Sequence, residues 1–234
     1  MEIIYLISGI LICQLITYSS RFTFPLNQKY FKSFPPNFLM QIYFGICSII
    51  LMYIFGYELK FSIAWSDIWK IVYQVFLLFL VAFFIIITII NAIENKFSVG
   101  EPNEEKTFKP PPNKKIFLFM VMCINPITEE LLYRGFLLNH ILLLDYTLVE
   151  NSFIILSLPI VLSGLYFGLS HLSLLKGGMN KYFVYNIVSS GVVVGTACGY
   201  YYIEYNSFSA AIIVHFMANV TGSFVSFLTQ KLKK

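Results

Sequence analysis

The chain has 234 residues, of which 58% are hydrophobic and 12% are charged, and its formal net charge is +4. An ordinary soluble domain carries about 25% charged residues, so a soluble fold is excluded because it could not bury this much apolar surface. Nucleic acid is also excluded as a partner, because the basic residues are spread over several loops and form no stripe on one element. We therefore expect the lipid bilayer to be the chain's environment.

Seven apolar runs have nearly the length of about 20 residues that a bilayer core demands. They predict an all-α, polytopic bundle of about seven transmembrane helices, with room for an eighth helix. The first run lacks a basic leader and a small-residue cleavage site, so we interpret it as a retained helix. The runs lie at 3–20, 38–57, 69–93, 116–139, 152–171, 182–203 and 207–229.

The basic residues predict the orientation of the chain. All Lys and Arg residues except Lys60, Lys70 and Arg134 fall in loops on one side of the predicted bundle. Because cytoplasmic loops are enriched in these residues, we expect the N-terminus to lie outside and the C-terminus in the cytoplasm.

The longest loop divides the chain. It contains Pro110-Pro111-Pro112, which favours an extended polyproline spacer. The predicted parts are a three-helix membrane segment at 1–94, a cytoplasmic Pro-rich loop at 95–115, a four-helix membrane core at 116–229, and a basic cytoplasmic tail at 230–234.

Small residues recur at helical spacing in the membrane core. The fifth run contains Gly164 and Gly168, and the sixth contains Gly191, Gly195 and Gly199. Glycines four residues apart let helix backbones approach closely in lipid. We therefore expect these two helices to pack tightly.

Ionisable side chains inside the predicted spans are the first indication of function. Each costs about 2.5–3.5 kcal/mol at the centre of a span, so such residues are usually functional. The set comprises Glu129, Glu130 and Arg134 in the fourth run, His171 at the end of the fifth, and His215 in the seventh. The four C-terminal helices therefore hold nearly all the groups that could perform chemistry.

The two adjacent glutamates have different surroundings on a helix. Arg134 follows Glu130 by one turn, so this pair can neutralise itself along one face. Glu129 points about 100° away and has no local partner, which suits a general base. A structural Glu–Arg cluster without reactivity is the alternative. We also expect Asn125-Pro126 to break this helix.

The two histidines each share a helix face with a second residue. Phe167 and His171 are four residues apart, as are His215 and Asn219. With Glu129, these groups could activate a water molecule: the carboxylate would take the proton, and the imidazoles would bind a metal or the oxyanion.

The metal question stays open at this point. His171, His215 and Glu129 could ligate a divalent metal such as zinc, and the same groups can work without one. The chain contains no HExxH motif, so an ordinary zincin is not indicated. The four cysteines stand alone in apolar runs, and we expect buried thiols.

Three short motifs on these spans resemble the signature of the CPBP (CAAX protease and bacteriocin-processing) family, which includes CAAX prenyl endopeptidases of the Rce1 type. The resemblance covers roughly residues 116–229. The motifs are EExxxR from Glu129 to Arg134, FxxxH from Phe167 to His171, and HxxxN from His215 to Asn219.

The resemblance implies an intramembrane endopeptidase of the glutamic or metal-dependent type. It implies that Glu129 activates the water and that His171, His215 and Asn219 bind the water and the oxyanion or a metal. Glu130 and Arg134 would support the site. The substrate would be a peptide or a membrane-tethered protein: a prenylated CAAX tail, a bacteriocin or pheromone precursor, or a membrane-protein loop.

Two functions from other classes compete with this interpretation. A non-catalytic membrane scaffold or bacteriocin self-immunity protein could retain the motifs for stability. A proton-coupled transporter could use the same intramembrane charges, but that class is built from repeats that this sequence lacks.

Overall fold

The computed structural model describes residues 2–97, 113–142, 147–150, 155–176 and 179–232. Within these residues, seven helices are long and apolar enough to cross a membrane, which confirms the predicted multi-pass helical bundle. The spans are Ile3–Tyr30, Phe38–Phe55, Trp65–Glu94, Lys114–Ile141, Leu158–Leu175, Lys181–Glu204 and Phe208–Thr229. The predicted polyproline segment at 110–112 lies outside the described residues, and the orientation of the termini stays a prediction.

The first and third spans are longer than their apolar runs, whereas the second ends two residues before its run does. In the first span, a 3₁₀ turn joins two helices and extends the span beyond the apolar run. The second span ends at Gly56, whose φ of +70° allows the left-handed cap that stops the helix. The segments are Glu2–Ser19, Ser20–Phe22 and Thr23–Tyr30 in the first span, Phe38–Phe55 in the second, and Trp65–Phe97 in the third.

The fourth span does not break at Pro126, so that prediction is wrong. The helix instead widens into a π-helix at Met120–Ile124 and again at Leu131–Leu138. Its α-helical segments are Lys114–Phe119, Asn125–Glu130 and Asn139–Ile141. All eight residues of the second π segment are buried, which places this span at the centre of the bundle.

A short β hairpin precedes the fifth span. Strands β1 (Thr147–Glu150) and β2 (Ile155–Ser157) pair antiparallel, so the helix begins at Leu158 and not near residue 152. The remaining helices are Leu158–Ser170, Ser173–Lys176, Lys181–Glu204 and Phe208–Leu232. The hairpin lies in a connection and leaves the helical fold class unchanged.

The fifth and sixth spans pack through their glycines, as the spacing predicts. A Cβ atom added to Gly195 would lie 2.8 Å from Cα of Gly164, and one added to Gly191 would lie 3.0 Å from Cα of Gly168. The two backbones therefore approach too closely for any side chain. This contact matters for the site because it brings the carbonyl of Gly195 toward the fourth span.

Candidate active site

A buried ionic network joins the fourth span to the sixth and seventh. Glu130 and Arg134 are fully buried, and Nη1 of Arg134 lies 3.1 Å from Oε1 of Glu130, which confirms the predicted pair. The other terminal nitrogen of Arg134 donates to the carbonyl of Gly195. Nδ1 of His215 lies 2.7 Å from the same Glu130 oxygen. Because an ionised carboxylate only accepts hydrogen bonds, we assign the Nδ1 proton to His215.

Glu129 lies beside this network with its side chain 15% exposed. Its Oε2 is 3.8 Å from Nε2 of His215, which is beyond hydrogen-bond distance. A single water molecule can hydrogen-bond to both atoms across such a gap. The seventh span thus presents one imidazole to both adjacent glutamates, with Nδ1 toward Glu130 and Nε2 toward Glu129.

His171 is held by its own helix. Its Nδ1 lies 3.0 Å from the backbone carbonyl of Phe167. A carbonyl only accepts, so the proton is on Nδ1 and the neutral ring keeps a lone pair on Nε2. Among the described residues, no hydrogen bond joins His171 to either glutamate. Its lone pair is therefore available to a substrate or a water molecule.

The Phe167 ring connects the three motifs. Its centroid lies 5.1 Å from that of His171 and 5.6 Å from that of His215. The Arg134 guanidinium carbon lies 5.2 Å from the same ring, within reach of a cation–π contact. Phe167 is 3% exposed, so it shields the ionic network on one side and contacts both histidines.

Asn219 compensates for a proline in the fourth span. In the first π segment, Asn125 N–H donates to the carbonyl of Met120, five residues back. The next bond in this register would run from Pro126 to Val121, but proline has no N–H. The Nδ2 of Asn219 donates to that carbonyl instead, at 2.8 Å. The amide is thereby fixed beside the turn that leads to Glu129.

The residues that could hold a metal in the structure differ from the triad of His171, His215 and Glu129 that the sequence suggested. Among the described residues, Glu130, Cys198 and His215 place ligand atoms within 4.8 Å of one another, and all three are buried. Glutamate, cysteine and histidine are ligands that zinc accepts. However, Glu130 already pairs with the Arg134 cation and with His215. His171 and Glu129 do not belong to this group, so the predicted metal triad stays a prediction.

Sequence reasoning missed Gln41 as part of the site. This residue lies in the second span and is 2% exposed. Its Nε2 donates to Oε1 of Glu129 at 3.0 Å, and its Oε1 accepts from Oγ1 of Thr128 at 2.5 Å. The sequence did contain an indication of this role, because a side-chain amide in an otherwise apolar run needs hydrogen-bond partners within the membrane.

Sequence reasoning also missed a second buried histidine, at the far end of the fourth span. His140 is 1% exposed, with Nε2 lying 3.0 Å from Oγ of Ser8 and Nδ1 lying 2.8 Å from the hydroxyl of Tyr57. Because Ser8 donates to the Tyr5 carbonyl, we infer that Nε2–H donates to Ser8 and that Tyr57 donates to Nδ1. Burial, with a smaller contribution from Tyr5, raises the pKa of Tyr57, so this phenol keeps its proton.

Residues 111–221 match the profile of a known family, described as Type II CAAX prenyl endopeptidase Rce1-like. The matched region contains all three motifs and every predicted site residue. No curated protein and no solved structure matches the chain.

Proposed function

We propose that this chain, whose residues 111–221 are an Rce1-like type II CAAX prenyl endopeptidase domain, hydrolyses a peptide bond at the membrane with water activated by Glu129. The protein is a multi-pass membrane protein, and its family implies an endopeptidase of the CAAX type.

The observation that carries the proposal is the gap of 3.8 Å between Oε2 of Glu129 and Nε2 of His215. A water molecule bound there would touch a carboxylate that forms no ion pair with Lys or Arg among the described residues, unlike Glu130. Glu129 would accept one proton while the water oxygen attacks the scissile carbonyl. The proton would then pass to the leaving amine nitrogen as the C–N bond breaks, which restores the carboxylate.

The remaining motif residues have distinct roles in this scheme. His171, with its free Nε2, would accept a hydrogen bond from the water or the substrate. Because its proton is on Nδ1 toward Glu130, His215 would accept the second hydrogen of the water at Nε2. Asn219 would donate to the oxyanion of the tetrahedral intermediate, a role in which a single donor is worth about 100-fold or more in rate. Glu130 orients His215 through Nδ1, and Arg134 holds Glu130 in place. Glu130 and Arg134 would thereby fix the tautomer and the direction of the His215 ring beside the base Glu129.

We propose a membrane-tethered protein or peptide with a prenylated CAAX tail as the substrate, approaching from the cytoplasmic face. The family description supports the prenylated tail. The excess of basic residues in alternate loops supports a cytoplasmic C-terminus. Bacteriocin or pheromone precursors and membrane-protein loops are the substrates to compare with it.

A non-catalytic scaffold or self-immunity protein is the second candidate. The observation that favours it is the structural use of the motif residues. Arg134 bonds the sixth span, His215 bonds Glu130, and Asn219 bonds the fourth span. Each of these contacts would stabilise a bundle that had no enzymatic activity.

The deciding experiment compares wild type with Glu129→Gln in proteoliposomes. The probe is an internally quenched farnesylated peptide that ends in a CAAX sequence. We expect the substitution to lower kcat by about 100- to 10,000-fold, because it removes the base and preserves the shape of the side chain.

The matched control is Glu204→Gln, an exposed carboxylate at the end of the sixth span, which should cleave like wild type. The folded amount of each variant is measured by size-exclusion chromatography in detergent. Equal cleavage by wild type and Glu129→Gln would contradict the proposed mechanism and favour the scaffold.

A further inference from the structure

The second span reaches the site through one buried amide. Gln41 is 2% exposed and lies outside the family domain at 111–221. Its Nε2 donates to Oε1 of Glu129 at 3.0 Å, and its Oε1 accepts from Oγ1 of Thr128 at 2.5 Å. The Thr128 hydroxyl also lies 3.0 Å from the Ile124 carbonyl and 3.2 Å from the Asn125 carbonyl, but its shortest contact is with Gln41. The Glu129 carboxylate accepts and the hydroxyl donates, so both contacts of Gln41 require the same orientation of the amide.

Close helix packing makes this contact between spans short. One turn after Gln41, a Cβ atom added to Gly45 would lie 3.3 Å from Cγ2 of Thr128. The second and fourth spans therefore touch directly beside the amide. Gln41 therefore reaches Glu129 directly, without an intervening water molecule. Its amide oxygen accepts a hydrogen bond from Thr128, the residue that precedes Glu129 on the fourth span.

The contact distinguishes the two oxygens of Glu129. Oε1 accepts from Gln41, whereas Oε2 faces Nε2 of His215 at 3.8 Å. Without the amide, rotation of the carboxylate would exchange the two oxygens and move the acceptor away from the histidine. A catalytic group that is displaced by about 1 Å can lose about 100-fold in rate.

We propose that Gln41 is a positioning residue that fixes Glu129 so that Oε2 is the oxygen that accepts the proton, with Thr128 orienting the Gln41 amide. This proposal rests on the proposed function of Glu129 as the base. It makes the activity of the 111–221 domain dependent on a residue of the N-terminal membrane segment.

The kinetic test is Gln41→Met in the full chain, with the same farnesylated peptide as the probe. Methionine preserves length and removes both hydrogen bonds. We expect kcat to fall by about 10- to 100-fold, because the Glu129 carboxylate remains but is no longer held in the orientation that a base needs. KM should stay unchanged, because no contact with the substrate is removed. A Gln41→Met enzyme with wild-type kcat, or a change in KM alone, would overturn the proposal.

Thr128 supplies a test by a conservative variant. Thr128→Val removes the hydroxyl and should also lower kcat, whereas Thr128→Ser keeps the hydroxyl and should retain most of the activity.

The matched control is Gln74→Met. Oε1 of Gln74, in the third span, accepts a hydrogen bond from the Tyr201 hydroxyl of the sixth span and does not touch Glu129. Equal loss in Thr128→Val and Thr128→Ser, or in Gln74→Met, would assign the effect to general packing and overturn the proposal.

A readout without catalysis separates this proposal from the proposed function. In a double-mutant cycle on thermal unfolding in detergent, Gln41→Met should lower Tm in wild type and much less in a Glu129→Leu background. Additive shifts would overturn the contact, whatever the activity. If Glu129→Gln cleaves like wild type, the proposed function fails and the positioning role fails with it, even where the double-mutant cycle shows the contact between Gln41 and Glu129. If Glu129→Gln is inactive and Gln41→Met is fully active, only the positioning role fails.

Discussion

The fourth span carries two buried polar clusters, and they differ in how completely their atoms are partnered. Both nitrogens of His140 bond to hydroxyl groups, from Ser8 and Tyr57. Around the other cluster, Oε2 of Glu130 and Nε of Arg134 are buried without a hydrogen-bond partner among the described residues. Unsatisfied buried polar atoms are costly. Both clusters contain a buried histidine, so burial alone does not distinguish the proposed active site, whereas charge and incomplete pairing do.

The charged cluster should be the more fragile of the two. Arg134→Met removes the cation that pairs with the buried Glu130 carboxylate and leaves it only the contact with His215 Nδ1. Breaking a buried ion pair in this way costs about 3–5 kcal/mol. We expect little folded protein, measured as abundance in the membrane and as Tm in detergent. Arg21→Met, which changes an exposed arginine, is the control and should leave both quantities unchanged. A stable Arg134→Met protein would contradict the expectation that the charged cluster is more fragile than the cluster around His140.

The same substitution at two histidines should separate catalysis from stability. His171→Gln should lower kcat by about 100-fold or more while Tm changes little, since the free Nε2 is lost and the residue is only partly buried. His140→Gln should lower Tm by a few degrees, because it disturbs two buried hydrogen bonds, and should preserve kcat. Both quantities are measured on the same preparations. The opposite pattern would mean that His140 belongs to the reaction.

The smallest effect on activity is expected at Cys198, where substitution tests whether the charged cluster binds a metal. Cys198→Ala removes one of the three ligand types that lie together, but Arg134 already neutralises Glu130. We expect cleavage within about two-fold of wild type and no loss on treatment with 1,10-phenanthroline. Loss of activity in both experiments, with zinc restoring the wild type, would instead assign a metal to this cluster.

Local periodicity accounts for the parts of this protein that were predictable. The apolar runs determined the number of spans, because a bilayer core requires about 20 apolar residues in each helix, whereas several of the span ends differ from the ends of the runs. Spacing of four residues determined the pair of Glu130 and Arg134 and the contact of Phe167 with His171. The glycine spacing likewise determined the close approach of the fifth and sixth spans.

Only the tertiary structure decided which helix faces meet. Gln41 reaches Glu129 across 88 residues of chain, and Asn219 reaches Val121 across 98. The latter contact satisfies a carbonyl that proline leaves free, which explains why the helix continues through Pro126. In lipid, no hydrophobic difference marks the buried side of a helix, because the solvent is as apolar as the core. The rotation of each helix therefore depends on partners far along the chain, and no local pattern specifies them.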